Sequence, residues 1–155
     1  MLEYSTHSQS VRFPTFFPRG LAMSQFGFQT WNSAKFSIER KPGREPGTVI
    51  LSFSGPFTMR DVYSSLPTME LTKILALDPA PGECCTTKNI IDLSNCPYMD
   101  STGLGMIVTH HVRCQNKGIK LVAAAMSPRV RQVFKMTRVD TVVPIATTVE
   151  EAEVN

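Results

Sequence analysis

The sequence lacks any apolar run close to the roughly 18 consecutive residues that a membrane-spanning helix needs. Its N-terminus carries Glu3 where a secretory signal would place basic residues, and Pro14, Pro18 and Gly20 interrupt the apolar residues that follow. The 16 Lys and Arg residues are spread along the chain and form no basic stripe, which argues against nucleic-acid binding. These absences predict a cytoplasmic protein without membrane insertion, whose partner is another protein.

The sequence also lacks the common arrangements of catalytic and metal-binding residues. Its four cysteines and three histidines do not have the spacing of a metal-ligand set. No Gly-x-Ser-x-Gly elbow is present, and no Gly-Lys-Ser/Thr follows Gly103 and Gly105, whose simplest role is a close approach of a helix to a sheet. We therefore expect no enzymatic activity, no metal and no cofactor, and cysteines that are free thiols in a reducing compartment.

The most informative stretch is residues 89–105. Three large aliphatic side chains at 90–93 are typical of an interior parallel strand, and a turn follows them. Asp100, Ser101 and Thr102 then supply side-chain oxygens that favour the start of a helix. Because side chains at such turns are usually exposed, Ser101 should be accessible to another protein.

The preceding segment predicts a hairpin and helical pieces. Apolar and polar residues alternate at 36–39 and 49–53, with a turn rich in Pro and Gly between them, which predicts two antiparallel strands. Residues 58–77 have a helical composition. Pro67 divides that segment into two pieces, and Ser65 is the expected cap of the second.

The central helix is expected to have one buried and one exposed face. A loop at 78–87 precedes the central strand at 88–94, and the helix then runs from about 102 to 117 and ends before Gly118, which suits a left-handed cap. Helical spacing predicts two faces. The inward face is Leu104, Ile107, Val108 and His111, and the outward face is Met106, His110, Arg113 and Lys117.

The remaining elements complete an α/β pattern. Residues 119–125 suggest a buried strand, Ser127 caps a helix that starts with proline, and 142–145 form a last short strand. Thr148 and Glu151 have capping-box spacing for a brief terminal helix. The order predicts a mostly parallel sheet of about five strands, the first pair a hairpin, with about four helices.

We expect two parts in the chain, an N-terminal extension at 1–33 and a domain at 34–155. The extension is rich in phenylalanine and contains the only tryptophan, Trp31, so it differs from an aromatic-poor disordered tail. It should pack on the domain, on a partner or on a second copy, which would make the protein a homo-oligomer. Alternatively, Met23 is the natural start of the chain.

Several motifs of this sequence resemble the STAS domain, in particular the bacterial anti-sigma factor antagonists. The resemblance covers about Phe36 to Glu151 and is most specific at 91–105. It is carried by Asp92-Leu93-Ser94, by Met99-Asp100 before Ser101-Thr102-Gly103-Leu104-Gly105, and by Ser127-Pro128-Arg129-Val130.

The resemblance implies a STAS fold and a phosphorylation site. In that family, the first hydroxyl residue after the motif aspartate is phosphorylated by an anti-sigma factor that is also a serine kinase. That residue is Ser101 here, and the supporting motif is Asp100, Thr102, Gly103 and Leu104. The candidate surface for partner contact is formed by Met106, His110 and Arg113.

The implied function is regulation of sigma-factor-dependent transcription. The unphosphorylated protein would bind the anti-sigma factor, phosphorylation of Ser101 would release it, and a serine phosphatase would reset the switch. Three alternatives stay open: Ser101 is only a helix cap, the chain is a non-switching STAS module of a transporter or scaffold, or the helix start binds a nucleotide or anion.

Overall fold

The computed structural model describes residues 36–66, 73–78 and 85–154. These residues form a five-stranded sheet in the order β1-β2-β3-β4-β5, in which β1 and β2 are antiparallel and the other neighbours are parallel. This is the expected α/β architecture with its starting hairpin. The strands are β1 (Ser37–Pro42), β2 (Thr48–Ser54), β3 (Lys88–Asn95), β4 (Lys120–Ala124) and β5 (Ile145–Ala146).

Helices cover both faces of the sheet unequally. The helices whose two ends both fall within the described residues are α1 (Met59–Ser65), α2 (Ser101–Asn116), α3 (Pro128–Met136) and α4 (Val149–Val154). The first three pack on one face, where Val62, Ile107 and Phe134 join the larger apolar core with Ile91 of β3. The short α4 covers part of the other face through Ala152. Within the described residues, no helix has the length and apolar composition needed to cross a membrane.

Local signals set the ends of the helices, as the sequence predicted. The Ser127 hydroxyl accepts a hydrogen bond from the Val130 N–H at 3.3 Å, and Thr148 accepts one from the Glu151 N–H at 3.1 Å. Gly118 has a φ of +69° directly after α2, a backbone conformation that glycine adopts without a steric penalty.

Two boundaries differ from the sequence predictions. Residues 139–141 form a short 3₁₀ helix, so the last strand lies at 145–146 and not at 142–145. Ser65 is the last residue of α1 and not the cap of a second helix. The second helical piece falls partly on 67–72, and the N-terminal extension falls on 1–33, both outside the described residues.

Candidate functional site

The loop after β3 is tied to the end of β2 and to α3. The Phe57 N–H donates to the Tyr98 carbonyl at 3.0 Å, and the Phe57 carbonyl accepts from the Asp100 N–H at 3.2 Å. The Ser127 hydroxyl donates to the Pro97 carbonyl at 3.3 Å. Because these bonds hold the loop at the carboxyl edge of the parallel strands, the starts of α1 and α2 lie next to each other.

The Asp100 carboxylate connects the two helix starts. Its Oδ1 accepts from the N–H groups of Thr102 at 2.9 Å and Gly103 at 3.0 Å, which caps α2. Its Oδ2 accepts from the N–H of Met59, the first residue of α1, at 3.0 Å. Partial burial alone would raise the pKa of Asp100, but the N–H donors of Gly103, Met59 and Thr102 outweigh burial and hold it below its usual value.

We predict that Asp100→Ala lowers the free energy of unfolding by about 1–2 kcal/mol, because helix α2 loses its cap. Asp100→Asn keeps one acceptor oxygen and should recover part of this loss. Urea unfolding of the three proteins at neutral pH measures the difference. If Asp100→Ala is as stable as the wild type, the carboxylate is not the cap that the geometry describes.

Ser101 is the first residue of α2 and its side chain is exposed. Its hydroxyl makes no hydrogen bond within the described part of the chain, since the capping oxygens come from Asp100. The interpretation of Ser101 as the cap is therefore not needed to explain how this helix starts. Ser101 is accessible, and its hydroxyl takes no part in the cap of α2.

The motif residues after Ser101 serve the packing of α2. Thr102 is half-buried, and Leu104 is buried in the larger core. A Cβ on Gly103 would overlap the Phe57 carbonyl oxygen and lie 2.9 Å from Cγ of the Phe57 ring, so the predicted close approach is real at this position. At Gly105 the described residues show no such close approach, because a Cβ there would meet none of their heavy atoms within 4 Å outside its own helix turn.

The predicted outward face of α2 is only partly exposed. Arg113 is exposed and Met106 is half-buried, but His110 is only 2% exposed, so its assignment to the contact surface is wrong. The reason is that α2 is buried over a wider part of its circumference than the sequence pattern indicated. This buried part includes Gly103, Leu104, Ile107, His110, His111 and Cys114.

Burial also determines the charge of His110. The Nδ2 of Asn89 on β3 lies 3.2 Å from the His110 Nε2. Burial, followed by the charges of Arg113 and His111, lowers the pKa of His110 from 6.5 to about 4. His110 is therefore a neutral core residue at neutral pH.

Sequence analysis missed three apolar side chains at the same edge of the sheet. Met59 is 56% exposed, Tyr63 63% and Tyr98 37%. The Met59 N–H binds Asp100, Tyr63 lies one helical turn after Met59, and Tyr98 precedes Ser101 by three residues. The predicted topology could have indicated them. Because β2 and β3 are parallel neighbours, the segments that follow them, with Met59 and Tyr63 after β2 and Tyr98 after β3, lie at the same edge of the sheet.

Two histidines and one carboxylate on or next to α2 are the residues to consider as a base for Ser101. His110 and His111 are both buried, and both Asp100 oxygens accept backbone hydrogen bonds. His110 and His111 are thus not exposed as general bases beside Ser101, and the Asp100 carboxylate is already engaged by three N–H donors.

Fold and site together define a small α/β domain with an exposed serine at the start of its central helix. The chain belongs to the STAS domain family, which its residues 41–152 match. It is similar to the structure of an anti-sigma factor antagonist from Mycobacterium paratuberculosis, with 20% identity, a TM-score of 0.58, and coverage of 76% of this chain and 92% of the other.

Two further structures show how widely this fold occurs. The Bacillus cell fate determinant SpoIIAA in its phosphorylated form is 19% identical, with a TM-score of 0.51 and coverage of 77% of this chain and 96% of that one. A sulfate transporter family protein from Wolinella succinogenes is 17% identical, with a TM-score of 0.53 and coverage of 68% and 81%. At these identities the similarity concerns the fold.

Proposed function

We propose that this chain is a cytoplasmic anti-sigma factor antagonist that Ser101 phosphorylation switches off. The observation that carries the proposal is the exposed Ser101 hydroxyl, free of hydrogen bonds within the described part of the chain, at the position that the STAS resemblance implies as the phosphosite. The partner would be an anti-sigma factor with serine kinase activity that uses ATP, and a serine phosphatase would reverse the modification. The chain itself is the substrate and regulates sigma-factor-dependent transcription through this partner.

The position of Ser101 allows phosphorylation without unfolding. A phosphoserine adds a charge of about −1.5 to −2. At the N-terminus of α2 the helix dipole favours this charge by roughly 0.3–1 kcal/mol, which offsets part of the repulsion from Asp100. Because the Ser101 hydroxyl makes no hydrogen bond within the described part of the chain, the modified domain should stay folded.

The surroundings of Ser101 explain why the modification would end binding. Met59, Tyr63 and Tyr98 give this edge an exposed apolar surface of the kind that marks protein contacts. A partner that covers these side chains would also remove water from a phosphate on Ser101. The cost of such desolvation can reach several kcal/mol, and each ~1.4 kcal/mol weakens binding tenfold.

The similar solved structures support a phosphorylated state of this fold, since Bacillus SpoIIAA adopts it in a phosphorylated form. A second candidate function is a non-switching module of a transporter or scaffold. The similarity to a sulfate transporter family protein favours that candidate, while the exposed Ser101 favours the switch.

A pull-down from a lysate of the source organism tests the proposal, with wild type, Ser101→Ala and Ser101→Asp as baits. We predict that wild type and Ser101→Ala bind a kinase-like anti-sigma factor and that Ser101→Asp recovers at least about tenfold less of it, because of the introduced charge. Gln115→Glu, at an exposed position about 21 Å further along α2, is the charge-matched control and should bind like the wild type.

The transporter or scaffold candidate predicts a different outcome. All four baits would then recover the same partners, membrane components among them, and mass spectrometry would find Ser101 unmodified.

A further inference from the structure

Acidic residues are absent from the part of the sequence that follows the start of α2. Residues 101–139 contain seven Lys or Arg residues and no Asp or Glu. All 13 acidic residues of the chain lie outside this range. The basic residues are spread along the chain, but because the acidic ones are not, the part of the chain from α2 to α3 carries a net positive charge.

Helix α3 presents part of this positive charge to solvent. Val130 and Phe134 are buried in the larger core, whereas Arg129 and Lys135 are exposed, as is Arg138 just after the helix. None of these three cations forms an ion pair with another described residue. We call Arg129, Lys135 and Arg138 the α3 cations. Because no described carboxylate pairs with them, they are available to an anionic surface.

The α3 cations begin beside the surface proposed for the partner. The Ser127 hydroxyl, just before α3, donates to the Pro97 carbonyl at 3.3 Å. Pro97 directly precedes the exposed Tyr98, and Ser101 follows three residues after Tyr98. The start of α3 therefore lies at the same edge of the sheet as Ser101, and the helix extends the positive charge about 9 Å along its axis, from residue 129 to residue 135.

The size of a stable interface requires more surface than the apolar side chains at this edge provide. A specific interface buries roughly 800 Å² on each partner. Met59, Tyr63 and Tyr98 are already partly buried, and even a fully exposed aromatic side chain offers only about 150–250 Å². A partner that covers these three side chains must therefore extend onto neighbouring elements, of which α3 is one.

The direction of the switch determines the sign of the partner's charge. In the function proposed above, phosphate on Ser101 weakens binding. A partner with a positive surface at this edge would bind the phosphorylated chain more tightly, because Arg and Lys pair strongly with phosphate. A negative surface would be repelled by the phosphate, and it is also complementary to the α3 cations.

We propose, on the basis of that function, that the partner carries an acidic segment that pairs with the α3 cations while the partner covers Ser101. The cations would steer the partner to the site and fix its orientation, since complementary charges mainly set association rate and specificity. Phosphate on Ser101 would place a second negative charge in front of the same acidic segment. The partner's Asp and Glu residues would thus determine both its attraction to this chain and its release.

The first measurement tests the charge of the ligand without the partner. A fluorescent peptide of ten glutamates is titrated with the full chain at about 50 mM salt, where surface charges are little screened. We expect Arg129→Glu/Lys135→Glu to bind the peptide at least about tenfold more weakly than the wild type. Lys41→Glu/Lys73→Glu makes the same change in net charge at exposed positions outside α3 and should bind within about twofold of the wild type.

The second measurement uses the protein that the wild-type chain recovers from the lysate. Arg129→Glu/Lys135→Glu should bind it at least about tenfold more weakly, chiefly through slower association, and Lys41→Glu/Lys73→Glu should bind it like the wild type. Raising the salt concentration should weaken binding of the wild type more than binding of the α3 variant. Circular dichroism of each variant checks the fold.

Ser101→Asp separates this proposal from the proposed function. If Ser101→Asp loses the partner while the α3 variant keeps it, the acidic segment is wrong and the switch stands. If the α3 variant loses the partner while Ser101→Asp keeps it, the acidic segment stands and the switch is wrong.

Two results with defined ligands would also overturn the proposal. One is equal binding of the glutamate peptide by the α3 variant and its charge-matched control. The other is tighter binding of a 20-base-pair DNA duplex or of phosphatidylglycerol vesicles than of the peptide at about 150 mM salt, which would assign the α3 cations to nucleic acid or to a membrane surface.

Discussion

Gly103→Ala is expected to lower the free energy of unfolding by about 1–3 kcal/mol, the usual cost of forcing an extra group into a packed interior. The new methyl group would overlap the backbone carbonyl of Phe57, which cannot rotate away as a side chain could. That carbonyl accepts the Asp100 N–H, and the Phe57 ring stacks on Phe36 with centroids 4.9 Å apart. Helix α2 must therefore move, and the site around Ser101 moves with it.

Gly105→Ala is the matched control for this prediction, since it makes the same change two residues further along the same helix. Outside the helix itself, no atom of the described residues lies within 4 Å of the new Cβ, so the higher helix propensity of alanine should raise stability by up to about 1 kcal/mol. Urea unfolding of both variants and the wild type measures the two effects. Equal changes in unfolding free energy for the two substitutions would show that contact with Phe57 does not limit how closely α2 packs against the segment after β2.

The chain is expected to lose about 3 kcal/mol of stability between pH 6.5 and pH 4 because of His110 alone. The pKa of His110 is about 4 in the folded chain and 6.5 without the influence of the fold. Between these pH values the unfolded chain binds a proton that the folded chain does not. The stability conferred by neutral His110 is therefore complete above pH 6.5 and falls as the pH drops toward 4.

His110→Gln tests the origin of this pH dependence. Glutamine does not titrate and can still hydrogen-bond with Asn89, so the loss of unfolding free energy from pH 7 to pH 4.5 should be smaller by about 2 kcal/mol. NMR of the imidazole carbons should show wild-type His110 neutral at pH 5.5. The same pH dependence in both proteins would assign the acid sensitivity to other groups.

The elements that the sequence predicted correctly depend on local chemistry. Ser127 and Thr148 cap helices, and Gly118 ends one, through contacts within a few residues. The apolar run at 90–93 is buried because a central strand is covered on both faces. The STAS family, which these elements and the motif indicated, is confirmed by the match over residues 41–152.

The features that the sequence did not predict depend on distant parts of the chain. His110 is buried because α2 packs over Asn89, which lies 21 residues earlier. Gly103 and Gly105 look alike in sequence, but only the first faces Phe57. Met59 lies at the site because its N–H donates a hydrogen bond to Asp100, which is 41 residues later in the sequence. Side-chain periodicity within one helix contains none of this information.

The central claim is that phosphorylation of Ser101 ends partner binding. The most direct measurement incubates the purified chain with its captured partner and ATP, maps the phosphate by mass spectrometry and measures the dissociation constant of each form. We predict that Ser101 carries the phosphate and that the modified chain binds at least about 100-fold more weakly, which corresponds to about 2.8 kcal/mol. Phosphate at another residue, or equal affinity of the two forms, would contradict the account.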